Sequence, residues 1–433
     1  MEKRKLNEIE YLIWSFGQPN NMSMAVTIDG ELDKQRLRTT LDIIQKKHPM
    51  LWAQVTSDED QGPYFVWDKI RKIPMEVIPR TKDDLYEEIV ENEFITPFET
   101  GRESKYPLIR VKLLLSEEKS DIIITLQHVI GDGLSMGFIF RDLLSFYINP
   151  PNHIKSNEIV KSLENILPES IQNKIPKTAR RFKVMTWFLK NIVLKFVRLK
   201  KRLFRRNNEL FIGNTNEIKN SNFITHSWVL TREETQEFIR KCKMNKITIH
   251  SAICTLFLED FPSINNPVNL RDRLSYSVKD TVGCFAGGLV FSQQYDQKRT
   301  FWENAKGYNK KLRRKLKSDE VFRIFKIISR AVPVEDIKKF GPIFVEIESN
   351  QKPFAVTNLG SLDKLNLITT AEGLRIEHIF GGVSSSFNAV ILTVFTIQSR
   401  MYFHLHYYSP PYLPKRMKDY VANAKSKINK ILE

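Results

Sequence analysis

The sequence is poor in cysteine. Its 433 residues contain three, Cys242, Cys254 and Cys284, and their spacing matches neither a disulfide framework nor a zinc-ligand motif. We therefore expect a reducing, cytoplasmic compartment without structural disulfides. The first residues have acids at Glu8 and Glu10 and no long apolar core, so we expect no signal peptide.

Acidic residues are missing from one long stretch. From Lys174 to Arg206 there are thirteen Lys or Arg and no Asp or Glu, which accounts for most of the net charge of +17. Because a nucleic-acid footprint usually spreads over a whole face, this local excess does not indicate nucleic-acid binding. Apolar residues such as Trp187 and Phe188 are interrupted by basic ones, so the stretch is not a transmembrane span. It fits an interfacial helix on an anionic membrane, an ordinary crossover helix, or a docking site for an acidic partner.

Length and patterning favour two lobes. A chain of 433 residues with 42% hydrophobic content has enough apolar residues for one large or two ordinary domains. Strand-like and helix-like periodicities mix in both halves, with many hairpins, which predicts an α/β (α+β) protein with mixed sheets. We place the N-terminal lobe at residues 1–170, a basic crossover segment at 171–215 and the C-terminal lobe at 216–433.

The strongest local pattern lies at residues 125–133, TLQHVIGDG. The apolar run Asp121–Leu126 predicts a strand, and apolar residues at helical spacing predict a helix over Leu134–Tyr147. The Gly-Asp-Gly sequence between them indicates a tight turn. The pattern therefore places His128 at the end of a strand, a position that suits a functional side chain.

His128 is a candidate general base. A neutral imidazole accepts a proton from a hydroxyl, amine or thiol near neutral pH. Asp132 is either a second catalytic carboxylate or a structural group that pairs with a distant Arg and fixes the turn, and we favour the structural role. No Ser or Cys stands in a nucleophile-elbow pattern, so direct transfer is favoured over a covalent intermediate. The alternative is that His128 is an ordinary core histidine beside a turn.

The motif resembles the HHxxxDG signature of an acyltransferase superfamily. This superfamily includes nonribosomal-peptide condensation domains, polyketide-associated acyltransferases, plant BAHD enzymes and chloramphenicol acetyltransferase. His128, Asp132 and Gly133 match the signature, and Gln127 replaces its first histidine. Other stretches are similar to family segments in the same order: an Arg-bearing strand at Pro267–Arg271, a glycine segment at Val282–Gly287, an SNLG-like segment at Val356–Gly360 and a weaker DFGWG-like one at His378–Gly382.

The resemblance implies two chloramphenicol-acetyltransferase-like lobes with an active-site tunnel between them. It implies acyl transfer from a CoA or acyl-carrier-protein thioester to a hydroxyl or amine of a hydrophobic or lipid-like acceptor, with no bound cofactor. His128 is then the general base, and Arg271 pairs with Asp132. The backbone N–H of Gly133 and the hydroxyl of Thr357, with Asn358 beside it, are the supporting groups at the oxyanion.

Four further points concern the other histidines, the basic stretch, the function and the location. His404 and His406 lie two apart on a predicted strand, but no third ligand is evident, so we predict no metal site. The basic stretch 174–206 remains open between membrane contact, internal packing, and docking of a carrier protein or the CoA phosphates. Gln127 in place of the first signature histidine, together with the weaker DFGWG-like segment, motivates an alternative function. It is that of a catalytically silent lipid- or carrier-binding protein of the same fold. We expect a cytoplasmic protein, and peripheral membrane contact is one of the alternatives left open for the basic stretch.

Overall fold

The computed structural model describes most of the chain outside the basic crossover. The predicted interfacial helix at 174–206 lies outside the described residues and stays a prediction. The predicted boundary at 216 also lies outside them, and the boundary at 170 falls within a short described helix and stays a prediction. The described residues are 2–58, 62–159, 167–172, 221–322, 354–365, 370–371, 374–384, 389–409 and 412–433.

Strands and helices are mixed along the whole of the described chain. The strands are β1 (Glu2–Lys5), β2 (Asn21–Asp29), β3 (Gln54–Asp58), β4 (Gly62–Trp67), β5 (Met75–Pro79), β6 (Ile109–Leu115), β7 (Lys119–Gln127), β8 (Asn222–Leu230), β9 (Ser263–Asn269), β10 (Ala286–Ser292), β11 (Phe354–Ser361), β12 (Thr370–Ala371), β13 (Leu374–Val383), β14 (Val390–Ile397) and β15 (Arg400–Ser409). The α-helices are α1 (Glu8–Ser15), α2 (Lys34–Lys47), α3 (Leu85–Ile95), α4 (Gly133–Ile148), α5 (Glu169–Gln172), α6 (Arg232–Met244), α7 (Ile249–Leu256), α8 (Phe301–Leu316) and α9 (Pro414–Leu432).

Two six-stranded mixed sheets form the centres of two lobes. The first sheet has the order β12-β13-β2-β7-β6-β5 and the second β10-β9-β11-β14-β15-β8. A smaller sheet, β1-β4-β3, accompanies the first. The predicted two-lobe α/β architecture is confirmed. Among the helices described, none combines the length and the apolar character needed to cross a membrane.

The first sheet takes its strand β13 from the C-terminal part of the chain. Strand β13 pairs antiparallel with β2, with Ile379 opposite Val26 and Gly382 opposite Ser23. On one face, alternate residues such as Met24 and Val26 pack into the core beneath α2 and α4. Because β7 is central in this sheet, both of its neighbours fix the position of its last residue.

Candidate active site

The sequence folds His128 into a turn that is held from two directions. Strand β7 ends at Gln127, a short 3₁₀ helix covers His128–Ile130, and α4 begins at Gly133. The backbone N–H of His128 donates to the carbonyl of Asn20 over 2.9 Å. The side-chain oxygen of Gln127 accepts from the N–H of Val129 over 2.6 Å. Gln127 therefore orients the 3₁₀ turn that presents the histidine.

The imidazole of His128 has a defined tautomer. Its Nδ1 lies 2.9 Å from the carbonyl oxygen of Gly131. A carbonyl oxygen only accepts hydrogen bonds, so in the neutral ring Nδ1 carries the hydrogen and Nε2 keeps its lone pair. The side chain is half-buried. His128 thus presents an unprotonated ring nitrogen, which is what a general base requires.

The carboxylate of Asp132 is engaged in structural hydrogen bonds and an ion pair. Its carboxylate caps α4 through the N–H of Ser135 at 2.9 Å, and it also accepts from the Ser135 hydroxyl at 2.9 Å. The guanidinium of Arg271 donates to both carboxylate oxygens over 2.7 and 3.1 Å, and the N–H of Phe285 donates over 3.0 Å. Burial raises the pKa of Asp132, but the charge and hydrogen bonds of Arg271 outweigh it and hold that pKa below its ordinary value. The group is a buried, fully occupied carboxylate.

Arg271 joins the same hydrogen-bond network, and it comes from the other lobe. It is 7% exposed, and its guanidinium stacks 4.6 Å from the ring of Phe285. The structure corrects one detail, because the strand predicted over Pro267–Arg271 ends at Asn269 and Arg271 begins a 3₁₀ turn. The side-chain oxygen of Asn269 accepts from the N–H of Arg271 over 3.1 Å, which ends the strand and aims the guanidinium at Asp132.

Ser135 is a connecting residue that sequence reasoning missed. Its hydroxyl oxygen lies 2.9 Å from the carbonyl oxygen of Gly283 and accepts from the N–H of Gly283 over 3.1 Å. It also accepts from Arg271 over 3.0 Å. The sequence did contain a signal: Ser135 lies three residues after the N-cap Asp132. At that position the backbone N–H donates to the capping side chain. Ser135 therefore links the first turn of α4 to the glycine segment of the other lobe.

Thr357 and Asn358 lie in the middle of β11, and both are half-buried. The side-chain oxygen of Asn358 accepts from the N–H of Gly360 over 2.8 Å, so this amide stabilises a local turn. The next residue, Leu359, packs on the first turn of α4, since a Cβ placed on Gly133 would lie 2.5 Å from Leu359 Cδ2. Among the described contacts, no hydrogen bond joins Thr357 or Asn358 to His128.

Comparison with known proteins shows what the part of the chain that carries the site resembles. Residues 16–159 match the family model of the condensation domain. The chain resembles the condensation-domain superfamily. Surfactin synthase subunit 2 of Bacillus subtilis is 30% identical over 141 residues, which are 32% of this chain and 4% of that protein. Tyrocidine synthase 3 of Brevibacillus parabrevis is 24% identical over 141 residues, 32% of this chain and 2% of that protein.

The matched segment is thus a small fraction of those relatives, whereas similarity of fold covers nearly the whole chain. Polyketide synthase associated protein 5 from Mycobacterium tuberculosis has a TM-score of 0.68 and 14% identity, covering 99% of this chain and 98% of that one. Trichothecene 15-O-acetyltransferase from Fusarium sporotrichioides has a TM-score of 0.67 and 13% identity, covering 99% and 95%. The expected chloramphenicol-acetyltransferase-like fold is confirmed. Condensation domains are acyl-type transferases that take acyl or peptidyl groups from carrier-protein thioesters.

A second group of histidines lies between the two sheets of this condensation-domain-like chain. The rings of His404 and His406 stack with centroids 6.2 Å apart, and the ring of His378 meets that of Tyr402 at 5.5 Å. Burial lowers the pKa of His378 to about 4 and that of His406 to about 3, and it lowers the pKa of His404 well below its ordinary value. Within the described residues no group of three His, Cys, Asp or Glu is arranged to hold a metal.

Proposed function

We propose that the chain is an acyltransferase in which His128 is the general base. The acyl group moves from a thioester, on CoA or on an acyl carrier protein, to a hydroxyl or amine of a hydrophobic or lipid-like acceptor. The observation that carries the proposal is the hydrogen bond from His128 Nδ1 to the carbonyl of Gly131, which leaves Nε2 able to take a proton. The match of residues 16–159 to the condensation-domain model and the similarity of fold to polyketide synthase associated protein 5 support the proposal.

The proposed reaction is a direct transfer. Nε2 of His128 accepts the proton of the acceptor's O–H or N–H while the acceptor atom bonds to the thioester carbonyl carbon. Negative charge collects on the carbonyl oxygen, and the carbon–sulfur bond then breaks. The departing thiolate receives the proton back from the imidazolium. Every atom is balanced without a covalent enzyme intermediate or a bound cofactor.

The oxyanion needs hydrogen-bond donors. Gly133 is the first residue of α4, so its backbone N–H has no acceptor within the helix. We assign it, together with the Thr357 hydroxyl, to this role, with Asn358 holding the turn beyond Thr357. Removing one such donor lowers kcat by about 10²–10³ in enzymes of known mechanism. Asp132 and Arg271 act indirectly, because they hold the loop that carries His128.

The test compares two histidines of the same lobe. We expect His128→Ala to lower kcat/KM for thiol release from an acyl-CoA panel with mixed alcohols and amines by about 10²–10⁴. His153, which is exposed, is the matched control, and His153→Ala should turn over as the parent protein does. Turnover that survives His128→Ala would exclude the mechanism. Tight thioester binding without any thiol release would instead support a silent binding protein.

We also propose peripheral contact with an anionic membrane through residues 174–206. The support is the run of thirteen Lys or Arg interrupted by apolar residues such as Trp187. A basic side chain near an anionic surface contributes about 1 kcal/mol, so the charges together would hold the protein at the surface. A membrane location would suit a lipid-like acceptor.

A further inference from the structure

We propose that the outer helical face of the second lobe binds an anionic lipid surface. Helices α6, α7, α8 and α9 share one core with the same side of the second sheet, through residues such as Phe238, Leu312 and Val421. The outer helical face is the opposite, solvent-facing side of α6, α8 and α9. It is a second surface beside the one proposed at residues 174–206, and it does not depend on the chemistry of His128.

The outer helical face is strongly basic. Helices α8 and α9 together contain twelve Lys or Arg and only two acids, Glu303 and Asp419. Nine of the twelve basic side chains are exposed. Residues 174–206 account for +13 of the net charge of +17 and these two helices for +10, so the remainder of the chain is acidic. The positive charge of the described residues is therefore concentrated on this face.

The charges of α8 are not balanced by neighbouring acids. Lys306, Lys310 and Arg314 follow one another at intervals of four residues, so they lie on one side of the helix. Like charges at this spacing destabilise a helix. The helix dipole favours Arg314, which lies in the last turn, but not Lys306 or Lys310. Within the described part of the chain, the one ion pair of α8 joins Lys315 to Glu320. An unpaired stripe of one sign suits a partner of the opposite charge.

Two exposed apolar side chains lie at one end of the outer helical face. Met244 ends α6 and is 66% exposed, and Leu413 precedes α9 and is 69% exposed. Helix α6 runs back along β8 from Leu230, and β15 ends at Ser409, opposite Asn222. Both apolar side chains therefore lie at the Asn222 end of the second sheet. Each has a Lys within two positions in the sequence.

This combination of charge and apolar surface identifies the partner. At an anionic bilayer, basic side chains are attracted to the headgroups, and apolar side chains enter the boundary between headgroups and acyl chains. A nucleic acid also attracts basic side chains, through its phosphates. Exposed Met and Leu side chains, however, bury no apolar surface against a phosphate backbone. The apolar end of a basic face therefore favours lipid.

The experiment measures how the full chain partitions onto sedimented vesicles. The vesicles are phosphatidylcholine with or without phosphatidylserine, at low and at high salt. The face variant is Lys306→Gln/Lys310→Gln/Arg314→Gln, because Gln keeps a high helix propensity. Its urea midpoint should equal or exceed that of the parent, because repulsion between like charges is removed. This midpoint shows that the variant is folded.

A matched control removes the same charge from the first lobe. It is Lys34→Gln/Lys46→Gln/Lys69→Gln, and all three side chains are exposed. Both variants are also prepared in a full chain whose Lys and Arg at 174–206 are neutralised. This second background separates the outer helical face from the contact proposed for that stretch.

We expect the face variant to bind phosphatidylserine vesicles about 100-fold more weakly in both backgrounds, because each basic side chain near an anionic surface strengthens binding about fivefold. The control should bind as its parent does. Met244→Gln/Leu413→Gln should weaken the binding that remains at high salt, because salt screens charges but not apolar contacts.

Four results would overturn the proposal. Equal losses in the face variant and the control would assign binding to net charge alone. Equal binding to vesicles without phosphatidylserine would exclude recognition of anionic lipid. A loss that follows only the neutralisation of 174–206 would uphold that contact and reject this one. A DNA duplex bound through Lys306, Lys310 and Arg314, without binding to vesicles, would make nucleic acid the partner.

Discussion

Replacing Arg271 by Met tests the junction of the two lobes. Met has a similar length and can keep the contact with the Phe285 ring, but it removes both hydrogen bonds to Asp132 and the one to Ser135. Asp132 then stays buried as a carboxylate with only the Ser135 and Phe285 donors. Breaking a buried ion pair by removing one partner costs about 3–5 kcal/mol, and we expect a loss of this size.

The measurement is urea unfolding followed by tryptophan fluorescence, analysed with a constant denaturant slope. Asp132→Asn and the double variant Asp132→Asn/Arg271→Met complete the cycle. Because the double variant leaves neither charge unpaired, its loss should be smaller than the sum of the two single losses by about 1–3 kcal/mol. A loss below about 1 kcal/mol for Arg271→Met, or losses that simply add, would refute the assignment of this pair as the interlobe clamp.

The pH dependence of the destabilisation by Arg271→Met is an independent test of the ion pair. In the parent protein the pKa of Asp132 is lowered, so its contribution to stability is complete above the unfolded pKa near 3.8 and is lost only as the pH falls further. Without Arg271, burial remains and raises that pKa above its ordinary value. The destabilisation by Arg271→Met should therefore be largest at neutral pH and shrink as the pH falls towards about 4. A destabilisation that grows on acidification would contradict this reasoning.

Two further predictions concern the buried histidines and the basic stretch. Burial lowers the pKa values of His378, His404 and His406 in the folded protein, so these histidines take up protons in the unfolded chain first as the pH falls below 6.5. The free energy of unfolding should therefore fall towards pH 4, and each histidine contributes up to about 1.4 kcal/mol for each pH unit. The urea midpoints of unfolding at pH 7, 6 and 5 measure this fall. His404→Phe should make the midpoint depend less on pH. A parent protein whose midpoint does not change with pH would exclude the effect. For the basic stretch, co-sedimentation with anionic phosphatidylserine vesicles should fall sharply when the Lys and Arg of 174–206 are neutralised, whereas equal binding by both proteins would exclude membrane contact through this segment.

Local signals were enough to predict the part of the site that is continuous in sequence. The apolar run before Gln127, the Gly-Asp-Gly turn and the helical spacing after Gly133 predicted the strand, turn and helix, and the structure has them within one or two residues. These signals depend on backbone propensity and on one amphipathic face, both of which are readable within a short window. The position of His128 could therefore be predicted without any long-range contact.

The part of the site that depends on pairing between distant segments could not be predicted from pattern. Strand β13 is recognisable as a strand, but nothing local indicates that it joins β2, which lies near the other end of the chain. The family resemblance, not periodicity, suggested that Arg271 reaches Asp132. Even so, the 3₁₀ turn at Arg271 was missed, because a single side chain, Asn269, decides where β9 ends.

The glutamine that replaces the first histidine of the signature does not favour a silent protein. Its side-chain oxygen accepts from the N–H of Val129, and this contact orients the 3₁₀ turn of His128. Any side chain with a hydrogen-bond acceptor at that distance can supply the same contact, and an imidazole nitrogen is such an acceptor. A glutamine at this position therefore holds the turn that carries His128. What decides between an enzyme and a silent relative is Nε2 of His128, and its lone pair is left free by the Gly131 carbonyl whatever residue stands at position 127.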